Sequence, residues 1–192
     1  MPRKADAALE SRIMDAAYRL WSKKGEQGLT MRAVAKAAKT TTTSMYERFA
    51  DKEKLLHGMR ERTRQALFQA LRPSETIEEA CRRAFDFISE HGTEYRLLTT
   101  DWGVRLAKDG PTPSYDLLKT LLAKRLGGDP EEHGQLALGI VALVHGTALL
   151  RPPASDHEKL ASEFREACLS ACDALVHAAE TTAPRSRRSR AN

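Results

Sequence analysis

Apolar positions recur at three- and four-residue steps along most of the chain, and no stretch shows the two-residue alternation of a strand. Leu9, Ile13, Ala16, Ala17, Leu20 and Trp21 make the first stripe, which predicts one amphipathic helix over residues 7–24, ended by Gly25. Thr30 is placed to cap a second helix, with Leu29 and Val34 positioned to staple its entry. Four threonines, Thr40 to Thr43, interrupt that helix. They are poor helix interiors but good caps, so a third helix starts at Thr40 or Thr41 and buries Met45 and Phe49. Asp51 caps a fourth, running past Leu55, Leu56 and Met59 to about Leu71, where Pro73 stops it.

Further helices are expected over residues 75–91 and 94–108, the second carrying Tyr95, Leu98, Trp102 and Leu106. Others follow over 114–126, from Pro130 to Leu150, and over 156–180. The fold class is therefore all-α, with about nine helices. The segment from Gly134 to Leu150 has no charged side chain, which predicts burial against several neighbours.

Residues 30–52 hold the chemistry. Two short helices joined by a tight turn present a small, polar outer face of Thr42, Thr43 and Ser44, with Arg48 beyond. A helix that only filled a core would not need such a face; a helix-turn-helix reading DNA would. Charge supports this. Residues 1–60 carry 13 Lys+Arg against 7 Asp+Glu, net +6, while the whole chain is +5. The excess positive charge thus sits around the helix-turn-helix, where it favours phosphate through counterion release. Arg3 and Lys4 precede the first helix, either as a solvated, disordered terminus or as an arm touching DNA.

Three cysteines, Cys81, Cys168 and Cys172, have no metal-type spacing, which suits a reducing compartment. There is no apolar signal core, and no run of ~18 apolar residues such as a membrane helix requires. A cytoplasmic protein without a membrane partner is expected. No catalytic constellation, metal site or cofactor is expected either, because nucleophile-elbow, phosphate-loop and metal-ligand spacings are all missing.

The pattern Ile13-x-x-Ala16-Ala17-x-x-Leu20, Gly25, Leu29-Thr30-Met31, Val34-Ala35, Ala38, Met45-Tyr46, Phe49 and Asp51-Lys52 ahead of Leu55 resembles the TetR/AcrR-type bacterial transcriptional regulators. The resemblance covers roughly residues 9–57 in order and spacing. It implies a DNA-binding domain over residues 1–57 and a helical regulatory and dimerisation domain over 58–183; the basic tail over 184–192 has no apolar anchor and is read as disordered. It implies that Thr30 and Arg32 meet phosphate or groove edges. The face Thr41, Thr42, Thr43 and Ser44 would then meet bases, helped by Arg48, while Tyr46 and Lys52 meet phosphates. Two departures stand out. Lys39 occupies the turn position where the family usually has glycine, and Thr40 stands where it prefers an apolar residue such as valine.

The family also implies a ligand-responsive regulator, a repressor binding a palindromic operator as a homodimer, with an effector of unknown identity in the second domain. Candidate pocket residues are Phe68, Phe85, Ile88, Tyr95, Trp102, Tyr115, Leu118, Val141 and His145. Candidate dimer contacts are Gly139, Ala142 and Gly146, with Phe164, Cys168, Ala171 and Leu175 on the last helix. The competing reading is an all-helical protein-interaction module without specific DNA binding. It would account for the apolar Gly134–Leu150 helix but not for residues 40–52.

Overall fold

A computed structural model describes residues 4–99, 103, 112–151 and 154–182. Among them are nine α-helices and one 3-10 turn, with no strand. The helices are α1 (Lys4–Gly28), α2 (Met31–Ala37), α3 (Thr42–Tyr46), α4 (Lys52–Leu71), α5 (Ile77–Glu90), α6 (Gly92–Thr99), α7 (Pro113–Leu126), α8 (Gly134–Leu150) and α9 (Ala154–Thr182). The 3-10 turn, Pro130–His133, precedes α8, so the single helix expected from Pro130 is two elements. Arg3, Trp102, Leu106 and the tail from residue 184 lie outside the described residues, and of Lys4 only its place at the start of α1 is described.

The chain forms two compact units. The first comprises Met1–Gln65 and Thr93–Thr100, the second Ala66–Gly92 and Asp101–Asn192. The sequence placed the division at residue 57. By packing, the first unit extends further along α4 and also takes in most of α6.

In the first unit, Ile13, Ala16 and Ala17 of α1 bury against Leu29, Val34, Met45, Phe49, Leu55, Met59 and Leu97. Each full apolar burial of this kind contributes about 1.5–3 kcal/mol. Gly58 sets how close α4 comes: a Cβ there would lie 2.6 Å from Met14 Cε and 3.1 Å from Phe49 Cε1. Tyr18 ties α1 to α4, its hydroxyl donating to the Met59 carbonyl and lying 2.8 Å from Thr63 Oγ1. Arg60 Nε donates to the Leu97 carbonyl at 3.3 Å, bringing α6 into the unit.

In the second unit α5, α7, α8 and α9 pack together. Arg165 of α9 makes a two-bond contact with Asp86 of α5, at 2.8 and 3.0 Å, and Arg125 of α7 reaches Glu180 at 2.8 Å. By length and composition alone, Pro130–Leu150 is apolar enough to cross a membrane, contrary to the expectation that no run reaches that length. Here one side of α8 is buried, through Ala137, Ile140, Val141, Val144 and Ala148. Its other side is not: Leu138 is 41% exposed, and Gly139 and Ala142 are exposed too. Burial on all sides is thus not what a single chain does with this helix.

A candidate nucleic-acid interface

The helix-turn-helix assembles from local signals. Thr30 adopts extended backbone and its hydroxyl accepts from the Ala33 amide at 3.2 Å, which caps α2. Leu29 and Val34 are fully buried, so the staple forms. The turn is a Schellman closure. Lys39 N–H donates to the Lys36 carbonyl at 3.2 Å and Thr40 N–H to the Ala35 carbonyl at 3.0 Å. That closure requires a left-handed residue, and Lys39 supplies it with φ 53°. Thr40 is the residue just beyond, whose side chain an apolar partner in the last helical turn normally covers.

Thr41 caps α3, as one of the two expected starts. Its hydroxyl accepts from the Ser44 amide at 3.1 Å and donates to Ser44 Oγ at 3.1 Å. Thr41 and Ser44 are therefore occupied with one another. Thr42 and Thr43 are exposed, and Tyr46, one turn on, is 53% exposed. Met45 and Phe49 face inward. Thr30 and Arg32 are exposed at the start of α2.

Two expected contacts are engaged within the protein. Arg48, its side chain only 18% exposed, folds back so that Nη1 donates to the Ser44 carbonyl at 3.2 Å. Lys52 Nζ donates to the Glu26 carbonyl at 3.0 Å and lies 3.4 Å from Glu26 Oε1. Sequence reasoning missed Glu26 because it and Lys52 are distant in the chain. It also passed over Glu47, which is exposed beside Tyr46, and the exposed Lys36; Lys39, noted there for its place in the turn, is exposed as well.

The expected pocket residues do not form one group. Phe85, Ile88, Leu118 and Val141 belong to the buried core of the second unit, whereas Tyr95 is buried in the first. Burial pushes the Tyr95 phenol well up. Phe68 and Tyr115 are half-buried, and the Tyr115 hydroxyl donates to the Gly134 carbonyl at 2.7 Å. Burial pushes the His145 imidazole down to about 4, a bond to the Val141 backbone partly offsetting it. A cleft of about 260 Å³ does open in the second unit, between Phe85, Asp86, Ser89 and Glu90 of α5 and Arg151, Glu158, Ala161, Ser162 and Arg165. Only Phe85 is shared with the expected set.

Of the expected dimer residues, Gly139 and Ala142 are exposed, Gly146, Phe164 and Ala171 half-buried, and Leu175 39% exposed. Cys168 is different. At 1% exposure it has no surface to offer a second chain and belongs to its own core. There all three cysteines converge: Cys168 and Cys172 are hydrogen-bonded, and Cys172 also meets Cys81. The bond with Cys172, and then burial, push the Cys168 thiol up, so it is a protonated packing group.

The sequence model of the family described as "bacterial regulatory proteins, tetR family" matches residues 13–59. No curated protein matches the chain. Among solved structures, a TetR-like transcriptional regulator from Rhodococcus sp. RHA1 is similar at 19% identity, with 95% of this chain and 100% of that one covered and a TM-score of 0.63. A transcriptional regulator (TerR/AcrR family) from Aquifex aeolicus VF5 shares 17% identity over 87% of this chain and 99% of that one, with a TM-score of 0.68. A TetR-family transcriptional regulator from Streptomyces coelicolor shares 19% over 89% and 99%, with a TM-score of 0.62. At these identities the structures speak for the fold, while the family match falls on the helix-turn-helix itself. The helix-turn-helix over residues 13–59 thus matches the tetR family of bacterial regulatory proteins, and the fold around it is similar to that of TetR-type transcriptional regulators.

Proposed function

We propose that the protein is a ligand-responsive repressor that binds a palindromic operator as a homodimer. The observation that carries the homodimer is an uncovered apolar stripe. On α8 it comprises Leu138, Gly139 and Ala142, and a Cβ added at Gly139 or Gly146 would meet nothing within 4 Å. On α9, Leu160, Ala167 and Leu175 are exposed, with Phe164 and Ala171 half-buried between them at steps of three and four. Gly139 and Gly146 serve no close approach among the described residues, so a second copy is the partner they fit. Pairing both helices with their copies makes a four-helix contact. It also presents two reading helices to half-sites about 34 Å apart, or a multiple of that.

At each half-site Thr42 and Thr43 face base edges, where threonine contacts the thymine methyl. Thr30, Arg32, Tyr46 and Lys52 take phosphates. α3 offers no Arg, Asn or Gln among its own residues, so shape and half-site spacing supply much of the selectivity. A small-molecule effector held by the second unit releases DNA to the extent that it prefers the DNA-incompetent arrangement. Repression needs only that the dimer occupy a promoter.

The test is a gel shift on the promoter region beside the protein's own gene, at two salt concentrations and against random duplex. Tighter binding to the promoter at both salts is expected. Equal affinity for the two DNAs would remove operator recognition, and a monomeric mass by light scattering would remove the paired half-sites.

A further inference from the structure

Lys52, the first residue of α4, is held by Glu26, in the last turn of α1. Gly25, at φ 60° and ψ −158°, breaks the helical path there. The Glu26 carbonyl then accepts two bonds, from the Leu29 amide at 3.2 Å and from Lys52 Nζ at 3.0 Å. The Glu26 carboxylate adds an ion pair, Oε1 lying 3.4 Å from the ammonium, while both side chains remain open to solvent at 61% and 36% exposure. The two contacts have different consequences. An ammonium has three donors, so the backbone bond leaves Lys52 free to donate to a phosphate as well. The carboxylate, however, already neutralises the charge that a phosphate would meet.

We propose that Glu26 is a brake on DNA binding, its carboxylate competing with DNA phosphate for Lys52. This rests on the reading of the Lys52 surface as the one that faces DNA. Binding then exchanges a carboxylate partner for a phosphate partner. The exchange weakens attachment to every duplex whatever its sequence, because the competition concerns the backbone and not the bases. It also makes binding less sensitive to salt, since one neutralised lysine releases less bound counterion on complex formation. Glu26 acts through Lys52 and touches no DNA; it is a positioning residue.

Five forms of the chain test this: wild type, Glu26→Gln, Glu26→Ala, Lys52→Gln and the Glu26→Gln/Lys52→Gln double variant. Each is titrated with the promoter duplex and with random duplex over a salt series. Glu26→Gln removes the charge and keeps the backbone bond. An exposed pair of this kind predicts a gain of about two- to fivefold on both duplexes. The slope of log K against log salt should steepen by up to ~1. In the Lys52→Gln background the same substitution should give no gain. Glu26→Ala should reproduce the Glu26→Gln result, which separates loss of the carboxylate from any effect of the new amide. No gain from either Glu26 variant, or an equal gain with Lys52 absent, would overturn the brake and leave DNA binding intact. Wild-type protein that shifts no duplex at any salt would overturn the function proposed above, and the brake with it.

Discussion

Lys39 holds a backbone conformation that L-residues avoid. At φ 53° its Cβ crowds the following carbonyl, at a cost of roughly 1 kcal/mol relative to glycine. The closure it completes between α2 and α3 cannot be made otherwise. Lys39→Gly should therefore raise the denaturant midpoint by about 1 kcal/mol of stability without changing the slope of the transition. It should also weaken binding to all duplexes, because the exposed lysine sits beside the reading helix. A midpoint that falls would show that Lys39 makes a contact worth more than the strain. The sequence pointed to this position because the glycine was missing from an otherwise regular turn. It did not reveal that Arg48 returns to the Ser44 carbonyl, or that Thr41 and Ser44 bond to each other.

Among the elements, α8 is the one whose burial the single chain leaves incomplete. A helix without charge was expected to be buried against several neighbours, with Gly139, Ala142 and Gly146 as candidate contacts to a second copy; within the single chain its buried residues all belong to one face. Hydropathy reports that a surface must leave water, not which molecule covers it. The opposite face, with the stripe on α9, is where the homodimer is proposed. Leu138→Glu places a charge on that face without disturbing the core, since Leu138 is 41% exposed in the single chain. The expected outcome is a shift to monomer by light scattering with the helical signal retained. Operator affinity should fall much more than affinity for random DNA. Retention of the dimer would place the contact elsewhere. The short helices α2 and α3 were the most legible elements, for the opposite reason: cap, staple and turn are signals between residues a few positions apart.

At the scale of the whole molecule, one buried base links stability to acidity. His145 is held at about 4 by burial, against about 6.5 for an imidazole in the unfolded chain. Between those values the unfolded chain binds more protons. Stability is therefore intact above about pH 6.5 and drains as the pH falls toward 4. Between pH 7 and 4.5 the wild type should lose about 2 kcal/mol more unfolding free energy than His145→Gln, read from denaturant midpoints. Parallel pH profiles for the two proteins would mean that the imidazole is solvated in the folded state.

The residues close in sequence carried the all-α class and the helix-turn-helix. Helical periodicity, capping and the N-terminal excess of positive charge are properties of short windows, and they survive whatever the rest of the chain does. Tertiary structure decided what depends on residues far apart. It gathered Cys81 with Cys168 and Cys172, turned Cys168 inward from the expected dimer face, and left half of α8 uncovered. It also set Glu26 against Lys52. Each of these follows from how helices pack, because packing chooses which side of a stripe is covered and which distant charges meet. A pattern along one helix cannot contain that information; it marks a face as apolar or a residue as charged, and the neighbour that arrives there is set by the fold.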